Sequence, residues 1–405
     1  MSTSVLYRAL GIRGYQHQAI KQDQGEVTLR MRHDGSELKC PGCGGTNVSR
    51  RGTVPRRWAA PPIGNRPVTV FANVPRIECH DCGAEPVIPV PFADPRRSYT
   101  KSFERMVLDL RESMTLKHVA RHLGVSDWTV RDIEKRYLHK KFATPPLKHL
   151  RHIAIDEIST KKGHTYLTLV MDLESGAVVF VGDGKGAEAL ESFWRSLKAS
   201  HAKVEAVAMD MSAAYYQAVT ENLPEAAVVF DWFPIVKLLN DKLSQLRREL
   251  YREATDQLQR EVLKGTRWLL LKRSENLDED RNQPERLRAA LKLNESLAAA
   301  YYLKEDLRLL WEEPTKQAAS RFLDEWIRMA EATGIRVLKT FARTLARYRE
   351  GLLAWYDHPI STGPLEGTNN KIKTLKRQAY GFRDQEYFKL KIMAIHHSRF
   401  ELVGL

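Results

Sequence analysis

The chain has 405 residues and a formal net charge of +14, and 43% of its residues are hydrophobic. Such a length allows two or three domains with a sizeable core, which is typical of a globular protein. The sequence has no run of eighteen apolar residues and no apolar signal region, so it indicates neither membrane insertion nor export, and a cytoplasmic location is expected.

The positive charge is concentrated in the N-terminal third. Residues 1–150 contain 25 Lys and Arg against 14 Asp and Glu, whereas the remaining 255 residues contain 39 against 36. A basic segment of this kind is expected to bind a polyanion such as nucleic acid. Ribosomal or membrane-surface binding would suit the same charge.

All four cysteines stand in two matching pairs. The first is Cys40-Pro-Gly-Cys43, the second is Cys79-His-Asp-Cys82, and a glycine follows each pair. Each pair can form a tight turn that aims two thiolates at one point, so the pattern predicts a structural Zn²⁺ site with four sulfur ligands. Two disulfides are the alternative, which is unusual in a cytosolic protein.

The cysteines lie in an N-terminal region that we bound at residues 1–95. Residues 1–39 are polar and predicted to be irregular, apart from a strand at Glu26–Arg32. Between the cysteine pairs, strands are predicted at Val68–Asn73 and Arg76–Glu78. The result would be a small zinc-ribbon-like β module.

Residues 96–145 show apolar residues at helical spacing and predict three helices. Thr115 and Ser126 are placed as N-caps, and Gly124 supplies the tight turn between the second and third helices. This is the pattern of a helix-turn-helix α module, whose last helix enters the DNA major groove. A small helical linker bundle is the alternative. The candidate DNA contacts on the third helix are Trp128, Thr129, Arg131, Lys135 and Arg136.

Residues 150–235 alternate between strand and helix patterns. The predicted strands are His152–Ile158, Tyr166–Asp172, Ala177–Val181, Val204–Asp210 and Ala227–Asp231, and the predicted helices are Ala187–Ala199 and Ala213–Leu223. Three antiparallel strands followed by alternating helices and strands is the order of an α/β ribonuclease H-like core. A large all-α insertion is predicted at residues 236–358, and residues 359–405 are predicted to complete the core.

Three carboxylates stand out against this pattern. Asp156 and Asp210 follow apolar residues typical of buried strands, where a lone charge is costly unless a cation binds it. Glu366 follows the Gly363-Pro364 break, so a helix starting there could bring it over the strand ends. Together they predict an all-oxygen site for Mg²⁺ or Mn²⁺. Taken singly, each aspartate could be a turn former or helix N-cap, and Glu366 could complement a helix dipole.

Two further groups of basic residues are candidate DNA contacts. Arg56 and Arg57 lie between the cysteine pairs, and the second group, which follows Glu366, is Lys371, Lys373, Lys376 and Arg377. A solvated basic face is the alternative in both cases. Trp268 and Trp311 could stack on an unpaired base, although tryptophans among leucines usually belong to a core.

Together these motifs resemble a bacterial insertion-sequence transposase of the ISL-three family. The resemblance runs from Cys40 to nearly the end of the chain. Its most specific segments are CPGCG, CHDCG, AIDEIS, AMDMSAAY, FDWFPIVKLLNDKL and HPISTGPLEGTNNKIKTLKRQAYGF. In that family the carboxylates that match Asp156, Asp210 and Glu366 are the catalytic DDE triad. The chain departs from the family at Pro234, where a histidine is usual.

The resemblance implies an enzyme that binds the terminal inverted repeats of a mobile element and cuts and joins DNA. Two Mg²⁺ ions held by the triad would activate the attacking hydroxyl and stabilise the leaving oxygen. Synapsis of two ends implies a homodimer, associated with the nucleoid when it is bound to DNA. A catalytically silent DNA-binding regulator and a structure-selective ribonuclease H-like nuclease are the alternatives.

Overall fold

The computed structural model describes residues 3–161 and 165–396, which form two compact units. The first unit comprises residues 3–144 and 382–390, and the second comprises the other described residues from 145 to 396. Among the described residues, no helix is both long and apolar enough to cross a membrane.

The first unit opens on helix α1 (Thr3–Leu10) and a four-stranded sheet. Its strands are β1 (Tyr15–Asp23), β2 (Glu26–His33), β3 (Val48–Ile63) and β4 (Arg66–Cys79), in the order β1-β2-β4-β3. β2 and β4 are parallel, and the other neighbours are antiparallel.

Two predictions for this sheet were wrong. The two short strands predicted between the cysteine pairs are one continuous strand, β4, which pairs with the slightly longer β3. The irregular structure predicted for residues 1–39 contains α1 and β1. Most side chains of β1 are exposed, so its sequence lacks the apolar alternation that would reveal a strand, and its pairing with β2 holds it in the sheet.

The helix-turn-helix follows the sheet, as predicted. Its helices are α2 (Lys101–Ser113), α3 (Leu116–Leu123) and α4 (Asp127–Phe142). The predicted caps are confirmed, since Thr115 and Ser126 accept hydrogen bonds from the backbone three residues later. Gly124 has φ +66°, the left-handed conformation that a glycine adopts without strain.

A five-stranded sheet forms the first half of the second unit. Its strands are β5 (His152–Lys161), β6 (Thr165–Asp172), β7 (Val178–Asp183), β8 (Ala206–Met209) and β9 (Ala227–Phe230). The sheet order is β7-β6-β5-β8-β9. β6 is antiparallel to both of its neighbours, β5 and β7, whereas β8 runs parallel to β5 and β9 runs parallel to β8. Helices α5 (Glu191–Ser200) and α6 (Ala213–Asn222) connect the last three strands, so the predicted order of elements is confirmed.

Helices form the rest of the second unit. They are α7 (Trp232–Glu253), α8 (Gln257–Gly265), α9 (Arg267–Leu271), α10 (Gln283–Leu293), α11 (Glu295–Leu307), α12 (Lys316–Ala332), α13 (Arg336–Arg347), α14 (Arg349–Leu353), α15 (Gly363–Gln378) and α16 (Gln385–Met393), whose first residues belong to the first unit. One buried cluster includes Val207 of the sheet, Leu239 of α7 and Trp326 of α12. The predicted helical segment therefore shares its core with the sheet.

Gly351 allows α14 to pack tightly against β9. A Cβ atom at this position would overlap the Phe230 ring and lie 3.1 Å from the carbonyl oxygen of Val228. We expect Gly351→Ala to lower the free energy of unfolding by about 1–3 kcal/mol, seen as a lower thermal midpoint, because the core must move to admit the methyl group.

Gly265→Ala is the matched control, since its Cβ would meet its nearest neighbour, Nη2 of Arg286, at 3.5 Å. Equal shifts of the thermal midpoint in the two variants would contradict this account of the packing.

Candidate functional site

The four cysteines converge on one point in the first unit. The Sγ atoms of Cys43 and Cys79 are 3.5 Å apart, and those of Cys40 and Cys82 are 3.8 Å apart. All four sulfurs lie within 4.8 Å of one another. Tetrahedral zinc with Zn–S bonds of about 2.3 Å would place its ligand sulfurs about 3.8 Å apart. The arrangement therefore fits a zinc ion, which would hold the two loops together.

The two cysteine loops have the same backbone geometry. The amide of Gly44 donates to the carbonyl oxygen of Cys40, and the amide of Gly83 donates to that of Cys79, both at 2.8 Å. Both glycines have positive φ, at +77° and +74°. A side chain would be strained in this conformation, which explains why each pair is followed by a glycine.

The two predicted aspartates lie side by side in the second unit. Ile155 on β5 pairs in parallel register with Met209 on β8, so Asp156 and Asp210 follow at equivalent positions on neighbouring strands. The strand predicted at His152–Ile158 is longer than expected and runs well past Asp156. β5 continues to Lys161, because β6 pairs with it beyond the point where β8 stops.

Helix α15 places Glu366 at the same site. Glu366 lies in the first turn of α15. One turn later, Nδ2 of Asn369 donates a 2.7 Å hydrogen bond to Oδ2 of Asp156. The other carboxylate oxygen of Asp156 accepts from the backbone amide of Glu157 at 2.7 Å. The hydrogen bond from Asn369 therefore fixes Glu366, on α15, relative to Asp156, on β5.

Asp231 fixes the start of α15. It is 5% exposed, and its Oδ2 accepts from the backbone amide of Thr362 at 2.9 Å and from the Thr362 hydroxyl at 2.7 Å. Its Oδ1 caps α7 by accepting from the amide of Phe233. The amide of Glu366 in turn donates to the carbonyl oxygen of Thr362 at 2.9 Å. One buried carboxylate thus joins the sheet edge, α7 and the first turn of α15.

Burial and like charge raise the pKa values of this group. Burial raises the pKa of Asp156 to about 6, and the charges of Asp210, Glu157 and Glu366 contribute to the rise. Burial also raises the pKa of Asp210 and of Glu366. Bringing these carboxylates together is unfavourable without a compensating positive charge.

The oxygen atoms at the site suit a hard divalent cation. Besides the carboxylates, Oδ1 of Asn369 is buried without a hydrogen-bond partner. Carboxylate and amide oxygens are the ligands that Mg²⁺ and Mn²⁺ prefer. The carboxylates are spaced more widely than the cysteines. Within residues 3–161 and 165–396, the cysteines alone form a group of three or more ligand atoms that all lie within 4.8 Å.

Sequence reasoning missed Glu157, Thr362 and Asn369 as site residues. Glu157 is hydrogen-bonded to the side chain of Tyr215, whose hydroxyl lies 2.9 Å from the Thr168 hydroxyl. Burial raises the pKa of Glu157, and the charge of Asp210 raises it further. Asn369 stands three residues after Glu366, on the same helix face. That spacing is the one signal in the sequence that could have revealed it.

The candidate DNA contacts of the first unit fall into two groups, and those of the first group form no ion pair with a carboxylate among the described residues. Arg56 and Arg57 are exposed on β3, and Trp128, at the start of α4, is 62% exposed. Thr129 is hydrogen-bonded to Ser126, the N-cap of α4, with the two hydroxyl oxygens 2.9 Å apart. Arg131, three residues after Trp128 on α4, is partly exposed.

The other two candidates on α4 form ion pairs. Lys135 lies 2.9 Å from Asp384 and 2.7 Å from Glu386. Arg136 bonds to Glu104, and its Nε lies 3.2 Å from Asp132. These contacts restrain both side chains within the first unit.

The candidates on α15 differ in exposure. Lys373 and Arg377 are exposed, and Lys371 lies 3.3 Å from Nδ1 of His396. Lys376 donates to the carbonyl oxygen of Thr160 on β5. Lys373 also lowers the pKa of Glu366 against the larger effect of burial.

Three further positions noted in the sequence lie in the helical part of the second unit. Pro234 is in the first turn of α7, where its missing N–H costs no helical hydrogen bond. Trp268 is 66% exposed, with the Arg267 guanidinium 4.7 Å from its ring centroid. Trp311 packs against the buried core.

Comparisons with known proteins agree with this architecture. A family profile described as "Transposase" matches residues 153–392, the "Helix-turn-helix domain of transposase family ISL3" matches residues 88–138, and the "zinc-finger of transposase IS204/IS1001/IS1096/IS1165" matches residues 37–82. The chain belongs to the ISL-three (ISL3) family of transposases.

Individual relatives cover nearly the whole chain. The transposase for insertion sequence element IS1001 of Bordetella parapertussis is 32% identical over 397 residues, 95% of this chain and 96% of that protein. The transposase for IS1557 of Mycobacterium tuberculosis is 31% identical over 90% of this chain and 87% of that protein. A Drosophila P element transposase strand transfer complex shares 11% identity, with a TM-score of 0.40 over 75% of this chain and 93% of that chain.

Loss of one cysteine should release zinc from this transposase. We expect Cys82→Ser to lower the zinc content from about one ion per chain towards zero and to lower the thermal midpoint, because three sulfurs hold zinc less tightly. Zinc content is measured by elemental analysis of the purified protein. His80→Ala is the control, since His80 is outside the sulfur cluster, and loss of zinc from this variant would contradict the four-sulfur assignment.

Removal of the Thr362 hydroxyl should loosen the start of α15. We expect Thr362→Val to destabilise the second unit by about 1–3 kcal/mol, because Asp231 loses a hydrogen-bond donor while it remains buried. Thr362→Ser retains the hydroxyl and should melt close to the wild-type temperature. A thermal melt in which the two variants lose equal stability would show that the hydroxyl bond to Asp231 is unimportant.

Proposed function

We propose that this chain cuts and joins DNA at the ends of an insertion sequence, with Asp156, Asp210 and Glu366 as its catalytic residues. The observation that carries the proposal is the site geometry. Two aspartates lie at equivalent positions on neighbouring strands, and the helix that carries Glu366 is hydrogen-bonded to the first of them through Asn369. The strand order, with three antiparallel strands followed by two parallel ones, supports a ribonuclease H-like core.

The chain's own residues supply the geometry of the reaction. Asp156, Asp210 and Glu366 would hold Mg²⁺ or Mn²⁺ ions, which activate the attacking hydroxyl and stabilise the leaving oxygen in a phosphodiester displacement. Asn369 holds one oxygen of Asp156 and leaves its own Oδ1 unbonded. Asp231 fixes the backbone that precedes Glu366 through Thr362. Both contacts would restrict Asp156 and Glu366 to one arrangement before DNA binds.

Recognition of the DNA sequence is assigned to the first unit, and phosphate contacts are assigned to both units. The helix-turn-helix would read the terminal inverted repeats with the open end of α4, where Trp128 and Arg131 are found. Arg56 and Arg57 on β3 would contact phosphates, and so would the exposed Lys373 and Arg377 on α15. Two chains would bring two ends together as a homodimer, which then joins them to target DNA.

Cleavage of a labelled duplex that carries the element's end and its flank tests this proposal. We expect Asp210→Asn to lower the rate of Mg²⁺-dependent cleavage at the element boundary by about 100-fold or more, while binding to the end persists. The asparagine oxygen can still accept the hydrogen bond that the amide of Ser212 donates at 3.1 Å, so the fold should be retained.

The matched control is Asp241→Asn, which neutralises an exposed aspartate on α7 and should cut at the wild-type rate. If Asp210→Asn cuts as well as the wild type, the catalytic assignment is wrong. If the wild type binds the end but cuts with neither Mg²⁺ nor Mn²⁺, a DNA-binding regulator replaces the enzyme. Cleavage of branched duplexes without any element end would favour a structure-selective nuclease.

A further inference from the structure

The segment 382–390 completes the helix-turn-helix unit although it follows α15 in the chain. Tyr387, Phe388 and Leu390 are at most 4% exposed, and the rings of Phe382 and Phe388 stack at 4.6 Å. Asp384 accepts a 3.0 Å hydrogen bond from the amide of Tyr387. The segment is therefore folded into the first unit as an ordered part of its core.

A buried ionic contact joins this segment to α4. Glu134 on α4 is 0% exposed. Its carboxylate accepts a 2.7 Å hydrogen bond from Nε of Arg111 and a 2.6 Å hydrogen bond from the hydroxyl of Tyr387. A buried carboxylate that lost either donor would be left poorly compensated. The position of the segment on α4 is thus strongly determined.

The docked segment adds charge to the open end of α4. An open depression of about 430 Å³ is lined by Trp128, Arg131, Asp132, Lys135, Arg383 and Asp384. Arg383 is exposed. Asp384 instead pairs with Lys135 at 2.9 Å, and Glu386 pairs with the same ammonium at 2.7 Å. Arg131 and Arg383 therefore provide the positive charge beside the exposed Trp128 ring, and the acidic residues hold Lys135.

We propose that Arg383 contacts DNA together with Trp128 and Arg131, so that the recognition surface is built from α4 and from the segment after α15. The proposal rests on the proposed function, because it assumes that α4 faces DNA. A guanidinium next to an aromatic ring suits a phosphate or a base edge. Only four residues, 379–382, separate Arg383 from the end of α15. The proposed DNA contact would therefore lie shortly after the helix that carries Glu366.

The test measures binding of the full-length, zinc-loaded protein to a labelled duplex carrying the element's end, over a range of salt concentrations. We expect Arg383→Ala to weaken binding about tenfold, as Arg131→Ala does, and to reduce the slope of log affinity against log salt by about one. Lys140→Ala is the matched control. It removes the same charge from an exposed position in the last turn of α4 and should change affinity less than twofold.

The outcomes separate this inference from the proposed function. Wild-type affinity and salt slope in Arg383→Ala, with a loss in Arg131→Ala, would overturn the role of Arg383 and leave DNA reading by α4 intact. Wild-type binding by both variants would overturn both assignments. Equal losses of affinity in Arg383→Ala and Lys140→Ala would show that Arg383 acts only through the net charge of the protein, and would also overturn the inference. A thermal melt of each variant verifies that the exposed substitutions leave the fold unchanged.

Discussion

The repulsion among three partly buried carboxylates is the constraint on which the candidate site of the second unit depends. Asp156 and Asp210 are brought together by strand pairing, and Glu366 is added by a helix from the far end of the chain. Burial raises the pKa values of all three, and the charges of Asp210 and Glu366 add to the rise at Asp156. The fold therefore holds them at a cost in free energy that a divalent cation would offset. The surrounding hydrogen bonds oppose the tendency of the charges to separate.

Two polar contacts keep α15 in place against that repulsion. Asp231 accepts two hydrogen bonds from Thr362, just before the helix begins, and Asn369 donates to Asp156 one turn after Glu366. Thr362, Glu366 and Asn369 fall on one face of the helix, at steps of four and three residues. Because these contacts occur before and after Glu366, they limit both sliding and rotation of the helix. These contacts would hold Glu366 and Asp156 in place for the proposed reaction.

The sequence predicted those features that depend on local chemistry. The paired cysteines, the N-caps Thr115 and Ser126, and the apolar strands of the second sheet all have short-range signals, and each is present in the structure. The matching family profiles agree with the same segments. β3 was missed, since much of its length is exposed and basic, and β4 was predicted as two short strands instead of one.

Contacts between distant parts of the chain could not be predicted. The hydrogen bond between Asn369 and Asp156 joins residues 213 positions apart, and the ion pair of Lys135 with Asp384 joins residues 249 apart. A single sequence carries no signal for such pairings, which arise only when the whole fold is assembled. For the same reason Lys135 looked like a free basic residue, whereas it forms an ion pair with Asp384.

The central claim is that Asp156, Asp210 and Glu366 bind one cluster of divalent cations, and iron-directed cleavage of the protein tests it most directly. Fe²⁺ added in place of Mg²⁺ to the zinc-loaded protein, with ascorbate and peroxide, cuts the backbone next to the bound metal, and mass spectrometry locates the cuts. The account predicts cuts near residues 156, 210 and 366 together, and their loss in the presence of excess Mg²⁺. Cuts at only one of these positions, or at none, would contradict it.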